Sequence, residues 1–374
     1  MIVVGAGPAG STTARELAAA GVRVLLLEGE RLPRYKACGG GVPLRTARML
    51  PFPLGTVAEA EVRELELSLL GRHRFVRNAG RPFALMVMRD RFDALLAEHA
   101  QRAGAVLREA AFVRSIEFEP ARIRVRADGF QADASFLVGA DGARSLTARA
   151  ANLGVGLAEC AAWEVELRPR ANVHTHRAAI ELGYCPWGYA WAFPKAGRIS
   201  AGIVLPLEQA RALKSAARRF LERLGLGAAE VERARGHKLR FRRGREPIAD
   251  ERVLLVGDAA GLADEFTQEG IAYAVASGRL AAKALLAALS GQGDARTYER
   301  LVDEELMPEL RAARRIARIF YGGLRRAPLP WFGAARFLPP LWSSFFAVQR
   351  GESTYARETA RLEPLAAAME RLLR

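Results

Sequence analysis

The sequence predicts a mixed α/β (α+β) protein with a nucleotide-binding domain, an antiparallel-sheet domain and a helical C-terminal region. Three observations carry this prediction: a strand, glycine turn, helix and strand in succession at the N-terminus, several short strand-like segments between residues 163 and 205, and a basic helical segment at residues 311–326. Hydrophobic residues make up 50% of the 374 residues, so the chain can bury at least one sizeable core.

The first 28 residues have the pattern of a complete βαβ unit. The strand "IVV" runs into "GAGPAG", the helical segment "STTARELAAA" follows, and the buried strand "VRVLLLE" ends in an acid. In this turn the first glycine permits the tight bend, the second lets the backbone approach a pyrophosphate, and the third allows close helix packing. The final glutamate can hold a ribose hydroxyl pair. The pattern predicts a Rossmann-like dinucleotide-binding domain that uses Gly5, Gly7, Ala9, Gly10 and Glu28.

Two later strands end in aspartates. "FLVGADGARS" at 136–145 contains Asp141, and "RVLLVGDAAG" at 252–261 contains Gly257 and Asp258. Taken singly, each aspartate suits a turn or a helix cap equally well. Together with the N-terminal unit, however, they resemble the fingerprints of flavoproteins with the para-hydroxybenzoate hydroxylase fold. That resemblance implies that these residues bind the cofactor and that the cofactor is FAD rather than NAD.

Two helices are expected to meet this cofactor. "QEGIAYAVASGRLAAKALL" predicts a helix that begins at Gly270 and Ile271, with its positive N-terminal dipole available to an electron-rich ring. The segment at 88–105 predicts another helix, and the flavoprotein resemblance implies that Arg89 at its start contacts FAD. His99 lies on the apolar stripe of that helix, so we interpret it as a core or interface histidine rather than a catalytic one.

Three segments narrow the resemblance to one family. "RYKACGGGVP", "GYAWAFPKAG" at 188–197 and "GDAAG" followed by "EGI" are similar to the geranylgeranyl reductases, flavoenzymes that saturate double bonds of polyprenyl chains on lipids or chlorophyll precursors. One loop departs from the family pattern, because "LADEFTQEGI" has Glu265 and Gln268 where the family commonly has proline and glycine.

The glycine-rich stretch, "YKACGGGVP" at residues 35–43, has a physical purpose under this resemblance. In the family it lies near the flavin ring, and residues without side chains let backbone amides and a long apolar substrate approach closely. The resemblance therefore implies that Cys38 and Gly39 contact the cofactor and that Gly40 and Gly41 contact the substrate.

The middle of the chain predicts an antiparallel sheet. Strand-like segments occupy 163–169, 177–183, 188–194 and 198–205. Tyr189, Trp191 and Phe193 alternate and must share one face. Composition alone would make them a core ladder between two sheets. The family resemblance instead favours a wall of the isoprenoid-binding chamber, formed by Tyr189, Trp191, Phe193 and Pro194.

The predicted reaction is hydride transfer from reduced FAD to an alkene carbon, with an acid supplying the proton. Cys38 is the side chain that we nominate as the acid. NADPH, ferredoxin or a quinol is the expected electron donor. Two alternatives remain open on the same fold: a flavin-dependent monooxygenase or halogenase, and a quinone-linked or lipid-binding flavoprotein without alkene chemistry.

The C-terminal region is basic and aromatic. "RAARRIARIFYGGLRR" precedes a stretch with four prolines, which argues against a spanning helix there. Its aromatic side chains suit either peripheral contact with an anionic membrane or a cap over the substrate domain.

The predicted domains are residues 1–58, 86–156 and 246–290 for FAD, 59–85 and 157–245 for substrate, and 291–374 for the C-terminal helices.

Charge and cysteine content limit the partners and the compartment. The net charge is +15, and five of the 56 basic residues are lysines, a bias that genome composition or an anionic partner surface would each explain. Cys38, Cys160 and Cys185 are too scattered for a disulfide framework or a metal site. We expect a cytoplasmic protein, with or without contact at the inner face of a membrane, and no nucleic-acid partner.

Overall fold

The computed structural model describes residues 1–169, 176–184 and 187–373, so Cys185 lies outside the described residues. The chain divides into two compact units. Unit 1 comprises Met1–Tyr35, Asp90–Ala158 and Leu239–Leu310, and unit 2 comprises Lys36–Arg89, Glu159–Lys238 and Arg311–Arg374. The glycine-rich stretch therefore groups with the strands of unit 2, whereas the sequence analysis assigned it to the nucleotide-binding domain.

The strands are three to twelve residues long. In chain order they are β1 (Ile2–Val4), β2 (Leu25–Leu27), β3 (Gly41–Pro43), β4 (Ala58–Val62), β5 (Glu64–Leu69), β6 (His73–Asn78), β7 (Ala84–Val87), β8 (Val106–Arg108), β9 (Val113–Phe118), β10 (Ile123–Ala127), β11 (Phe130–Ala134), β12 (Leu137–Gly139), β13 (Ala158–Arg168), β14 (Arg177–Leu182), β15 (Tyr189–Lys195), β16 (Arg198–Pro206), β17 (Glu230–Phe241) and β18 (Val253–Leu255).

The helices follow in the same order, with short 3-10 turns at Leu207–Ala212 and Gly257–Ala260. They are α1 (Pro8–Ala19), α2 (Leu44–Met49), α3 (Arg89–Arg102), α4 (Leu146–Ala150), α5 (Leu213–Arg223), α6 (Ile271–Leu289), α7 (Thr297–Glu305), α8 (Met307–Arg326), α9 (Pro328–Phe337), α10 (Pro339–Arg350), α11 (Tyr355–Arg361) and α12 (Glu363–Leu372).

Unit 1 is built on a five-stranded sheet in the order β18-β12-β1-β2-β8, and its neighbouring strands pair in parallel. All three residues of β1 are apolar and buried, as expected for a parallel strand that is covered on both faces. Helix α1 packs against α6, where Gly278 permits close approach: a Cβ there would stand 2.6 Å from the carbonyl oxygen of Ala9. This sheet is the parallel nucleotide-binding sheet that the sequence predicts.

Helix α6 lies in the core of unit 1. Within the part of the chain that the structure describes, it is the helix whose length and composition would allow a membrane crossing. However, 67% of its 18-residue apolar stretch is buried inside the protein. Buried core helices meet the same criterion.

Unit 2 contains a seven-stranded sheet in the order β17-β13-β16-β15-β14-β5-β6 and a smaller sheet in the order β3-β7-β4. In the larger sheet β14 pairs with β5 in parallel, while β13, β16, β15 and β14 pair antiparallel in succession. Helix α5 covers one face with Leu213, Ala216, Ala217 and Phe220. The predicted fold class, a nucleotide-binding α/β part with an antiparallel-sheet part and C-terminal helices, is confirmed.

The C-terminal prolines begin helices rather than interrupt them. Pro328 and Pro339 stand at the first positions of α9 and α10, where a missing N–H costs nothing. The ring of Phe332 lies 5.1 Å from that of Phe75 on β6, and the ring of Trp342 lies 5.7 Å from it. These two C-terminal rings therefore belong to the packing of unit 2.

Candidate active site

The turn between β1 and α1 has the geometry of an anion cradle. Gly5 has φ +102°, and a Cβ on it would stand 2.8 Å from the carbonyl carbon of Ala140. Gly7 is the N-cap of α1. Among the described residues, no side chain caps this helix end and no atom lies within 4 Å of the position of a Cβ on Gly7. Since Pro8 has no N–H, the amides of Ala9 and Gly10 are the donors that this helix end offers to an anion.

Glu28 follows β2 and lies beside this turn. Its Oε2 accepts a hydrogen bond from the backbone N–H of Ala6 at 3.1 Å, and its Oε1 accepts one from Glu30 N at 3.2 Å. The side chain of Arg34 pairs with Glu28 Oε2 at 3.1 Å and with Asp93 Oδ2 at 2.7 Å. Burial alone would lower the pKa of Arg34, but Asp93 and Glu28 raise it, so this arginine stays charged and holds the Glu28 carboxylate in place.

A second turn that the sequence assigns to the cofactor site follows β18. Gly257 has φ +58° and donates its N–H to Ser277 Oγ at 3.0 Å. Asp258 Oδ1 lies 3.3 Å from the position of a Cβ on Gly270, which is the N-cap of α6. The structure thus brings together Gly257, Asp258, Gly270 and Ile271, as the sequence analysis expects of a shared site, and their contact with FAD stays a prediction.

The loop that departs from the family pattern is held by charged groups. Asp264 Oδ1 accepts hydrogen bonds from Phe266 N at 2.9 Å and Thr267 N at 2.6 Å. Arg243 pairs with both carboxylate oxygens of Glu265, at 3.0 and 2.5 Å. An ion pair therefore fixes this loop where the family pattern has proline.

Asp141 and Arg89 are two further residues that the flavoprotein resemblance assigns to FAD binding. The carboxylate of Asp141 accepts hydrogen bonds from Ser145 Oγ at 2.5 Å, Leu146 N at 2.7 Å and Thr147 N at 3.0 Å. This is the helix-cap alternative that the sequence left open, and the contact of Asp141 with FAD remains a prediction. Arg89 is buried at the first residue of α3, and its contact with FAD remains a prediction.

In unit 2 the glycine-rich stretch lies against the aromatic residues of β15. A Cβ on Gly39 would stand 2.8 Å from the ring of Phe193 and 3.1 Å from Trp191 Nε1. Gly40 has φ +72°, accepts a hydrogen bond from Val87 N at 2.9 Å, and donates its own N–H to Cys38 Sγ at 3.4 Å. Side chains at these glycines would therefore displace the stretch from the sheet.

The aromatic ladder of β15 is formed as predicted. The ring centroids of Tyr189 and Trp191 are 6.1 Å apart, and those of Trp191 and Phe193 are 6.3 Å apart. Trp191 lies over Gly202 on β16, where a Cβ would stand 2.6 Å from Trp191 Cη2. Pro194 alternates to the opposite face, since it pairs with Ile199 in the core beneath α5.

A buried ion pair stands at the end of this ladder. Lys195 Nζ lies 2.8 Å from Glu166 Oε1, and the side chains are 1% and 2% exposed. Ser200 pairs in register with both Glu166 and Phe193, so these side chains share the face of the ladder. Within the described residues, Glu166 Oε2, Ser200 Oγ and Trp191 Nε1 are buried without a hydrogen-bond partner.

Comparison with known proteins decides the family. The sequence profile of the FAD binding domain matches residues 1–182. A geranylgeranyl diphosphate reductase of Rhodobacter capsulatus is 31% identical over 301 residues, which span 77% of this chain and 75% of the relative. The chain belongs to the geranylgeranyl reductase family. The predicted family and cofactor are thereby confirmed, and this geranylgeranyl reductase family member is an FAD-dependent oxidoreductase.

Solved structures share the fold of this geranylgeranyl reductase family member. A geranylgeranyl bacteriochlorophyll reductase-like protein of Thermoplasma acidophilum is 26% identical, with a TM-score of 0.75 over 84% of this chain and 87% of that one. The flavin-dependent brominase Bmp2 has a TM-score of 0.77 over 98% of each chain but is 17% identical, so this likeness extends to the fold alone.

The residues of unit 1 fit FAD. The cradle leaves open space at Gly7, the α1 N-terminus offers amides to a pyrophosphate, and Glu28 is held beside them. The sequence analysis missed Arg34 and Asp93, because they lie 59 residues apart and no local pattern joins them. Lys195 and Glu166 were not predicted either, because they lie 29 residues apart on different strands.

Proposed function

We propose that this protein reduces carbon-carbon double bonds of a polyprenyl, geranylgeranyl-type lipid. The names of two similar proteins support this: one reduces geranylgeranyl diphosphate and the other is like a geranylgeranyl bacteriochlorophyll reductase. Their head groups differ, and the geranylgeranyl chain is what the two names share. The substrate that we propose is therefore defined by its geranylgeranyl-type chain and not by a head group.

The observation that carries the proposal is the contact between the glycine-rich stretch and the aromatic ladder. Gly39 lies against Phe193 and Trp191, and the three glycines add no side chains to this surface. An apolar chain needs this kind of aromatic surface, because its binding comes from buried area and close packing rather than from charge. Tyr189, Trp191, Phe193, Gly40 and Gly41 are the residues that we propose contact the lipid.

When bound and reduced, FAD supplies the hydride for this reaction. The chain's own task is to orient one alkene, to exclude water, and to supply a proton to the second carbon. Cys38 on the glycine-rich stretch is the proton donor nominated from the sequence. The electrons come from an external donor, for which NADPH, ferredoxin and a quinol are our candidates.

The test is mass spectrometry of polyprenyl lipids, after incubation with protein whose flavin has been chemically reduced under argon. Geranylgeranyl diphosphate and a geranylgeranyl phospholipid are the probes. A gain of two hydrogens per double bond is the expected result. Unchanged lipids beside a fully reducible flavin would refute the proposal, and oxygen uptake with NADPH would then indicate the monooxygenase or halogenase alternative.

We further propose that α8 and α9 of this protein contact an anionic lipid surface. Leu329 and Phe337 are 55% and 74% exposed, and the exposed arginines 325, 326 and 336 flank them. A groove of about 470 Å³ beside them is lined by Phe75, Val76, Arg77, Arg336, Phe337 and Pro339. Exposed apolar side chains among arginines suit a negatively charged interface, and the net charge of +15 has the matching sign.

A further inference from the structure

The Lys195–Glu166 ion pair is costly to bury. Both side chains are almost completely inaccessible, and removing two charges from water costs several kcal/mol per ion before their attraction is counted. Replacing such a pair with apolar side chains of similar volume is often neutral or stabilising, so stability does not account for it.

The ion pair also leaves hydrogen-bonding groups beside it without partners. Glu166 Oε2 and the neighbouring Ser200 Oγ have no hydrogen-bond partner among the described residues, whereas buried polar atoms of a structural network are normally paired. Glu166 lies on β13 and Ser200 lies on β16. The opposite faces of these two strands are apolar, and their side chains pack in the core as Val165, Leu167, Ile199 and Ala201. The charges therefore belong to the ladder face and not to the core.

Lys195 also reaches the glycine-rich stretch. Its Nζ and Cε both lie 3.3 Å from the position of a Cβ on Gly40, which has none. Lys195 follows Phe193 by two residues on β15, so its ammonium group extends the row formed by Trp191 and Phe193. A side chain at residue 40 would therefore collide with the carbonyl oxygen of Val87 and displace Lys195 from the glycine-rich stretch.

We propose that Lys195, held by Glu166, donates the proton in alkene reduction, an inference that rests on the proposed function. One alkene carbon accepts the hydride, the other forms a C–H bond with a proton from Lys195 Nζ, and the N–H bond breaks to leave a neutral amine. The Glu166 carboxylate then stands beside a neutral group and favours the return of a proton from water. The two electrons come from the external donor by way of the bound cofactor.

Lys195 thus takes the role for which Cys38 was nominated from the sequence. A thiol and an ammonium group differ in charge, and the Lys195 ammonium group has a buried carboxylate partner at 2.8 Å. The Cys38 sulfur instead accepts a hydrogen bond from Gly40 N.

Three variants test the assignment: Lys195→Met, Lys195→Arg, and the double variant Lys195→Met/Glu166→Leu. Lys214→Met is the control, because it removes an exposed lysine on α5 of the same unit. Each is assayed for reduction of geranylgeranyl diphosphate with chemically reduced flavin, for FAD content, and for the unfolding midpoint of the FAD-free protein.

The expected result separates turnover from folding. Loss of a general acid lowers turnover by about 10²- to 10⁴-fold. Lys195→Arg should lose as much, since a guanidinium keeps the charge but does not release its proton. The double variant should regain the wild-type unfolding midpoint without regaining turnover, and FAD content should stay at the wild-type level in all of them.

Near wild-type turnover in Lys195→Arg would overturn the assignment, and so would turnover restored together with stability in the double variant. Loss of turnover in Cys38→Ala beside active Lys195→Met would return the role to the thiol. If the wild-type protein itself leaves the lipid unchanged, the proposed function fails first, and the inference falls with it.

Discussion

Asp258 Oδ1 lies 3.3 Å from the point where a side chain on Gly270 would begin, so the carboxylate after β18 meets the N-terminus of α6. This contact joins two segments of unit 1 at the site that we expect to bind FAD. Asp258→Ala should weaken FAD binding by about tenfold or more, the cost of a lost hydrogen bond to a charged group. The flavin absorbance of the purified protein measures the effect, and Glu251→Ala, which removes an exposed carboxylate, is the control. A full flavin complement in Asp258→Ala would contradict the assignment.

Gly7 and Gly5 should respond differently to alanine. Gly7→Ala places a methyl group in open space, so we expect the unfolding midpoint of the FAD-free protein to be unchanged and FAD affinity to fall. Gly5→Ala should destabilise the fold itself, by about 1–2 kcal/mol for the left-handed backbone and more for the clash with Ala140. Differential scanning fluorimetry with and without FAD separates the two. Unaltered FAD affinity in Gly7→Ala would show that no ligand approaches this residue.

Gly39→Ala tests the proposed lipid surface. Its methyl group would stand 2.8 Å from the Phe193 ring and displace it. We expect kcat/KM for the lipid to fall by about ten- to a hundredfold, because small misplacements of a reacting group are costly. Gly55→Ala is the matched control in unit 2, since a Cβ there meets nothing within 4 Å. Equal kcat/KM values in the two variants would argue against a role of the glycine-rich stretch in lipid binding.

The Glu358 carboxylate should make the stability of the fold depend on pH in the acid range. Partial burial would raise its pKa, but hydrogen bonds from Ser353, Ser344 and Arg361 lower it to about 2. Because the pKa is depressed in the folded state, this stabilisation is complete above about 4.5 and is lost as the pH falls towards 2. Glu358→Gln should therefore lower the thermal midpoint at pH 7 and narrow its difference from wild type as the pH falls from 4.5 to 2. Circular dichroism melts at several pH values measure this, and a difference independent of pH would contradict it.

The lipid-surface proposal predicts salt-sensitive binding to anionic vesicles. The double variant Arg336→Glu/Phe337→Ser should bind vesicles of phosphatidylserine and phosphatidylcholine less than wild type, because it removes an exposed cation and an exposed ring. Vesicle flotation at low and high salt measures it. Arg218→Glu on α5 makes the same charge change elsewhere in unit 2 and should bind as wild type. If neither the double variant nor added salt reduces flotation, the surface is not the one that we propose.

Local patterns were enough to predict the N-terminal βαβ unit, and the contacts of its residues with FAD remain a prediction. Gly5, Gly7, Gly10 and Glu28 lie within one short βαβ unit, where each residue's conformation is dictated by its neighbours in the chain. The aromatic ladder was predictable for the same reason, because side chains two residues apart on one strand must share a face. Pro194 lies outside the ladder by this rule, although the sequence analysis grouped it with the substrate residues.

Pairings between distant segments were not predictable. The departure at Glu265 became interpretable once Arg243 was seen beside it, because an ion pair between two separate loops leaves no periodic trace in the sequence.

The sequence by itself determined the βαβ unit, the FAD cofactor and the family, because these depend on residue types at short fixed spacings. Tertiary structure alone decided that Lys195 meets Glu166 beneath Gly40, and that Arg34 joins Glu28 to Asp93. The physical reason is that a charge can be buried only where the folded chain brings it an opposite charge. Which distant segment supplies that partner depends on strand order and register, and no single segment encodes these.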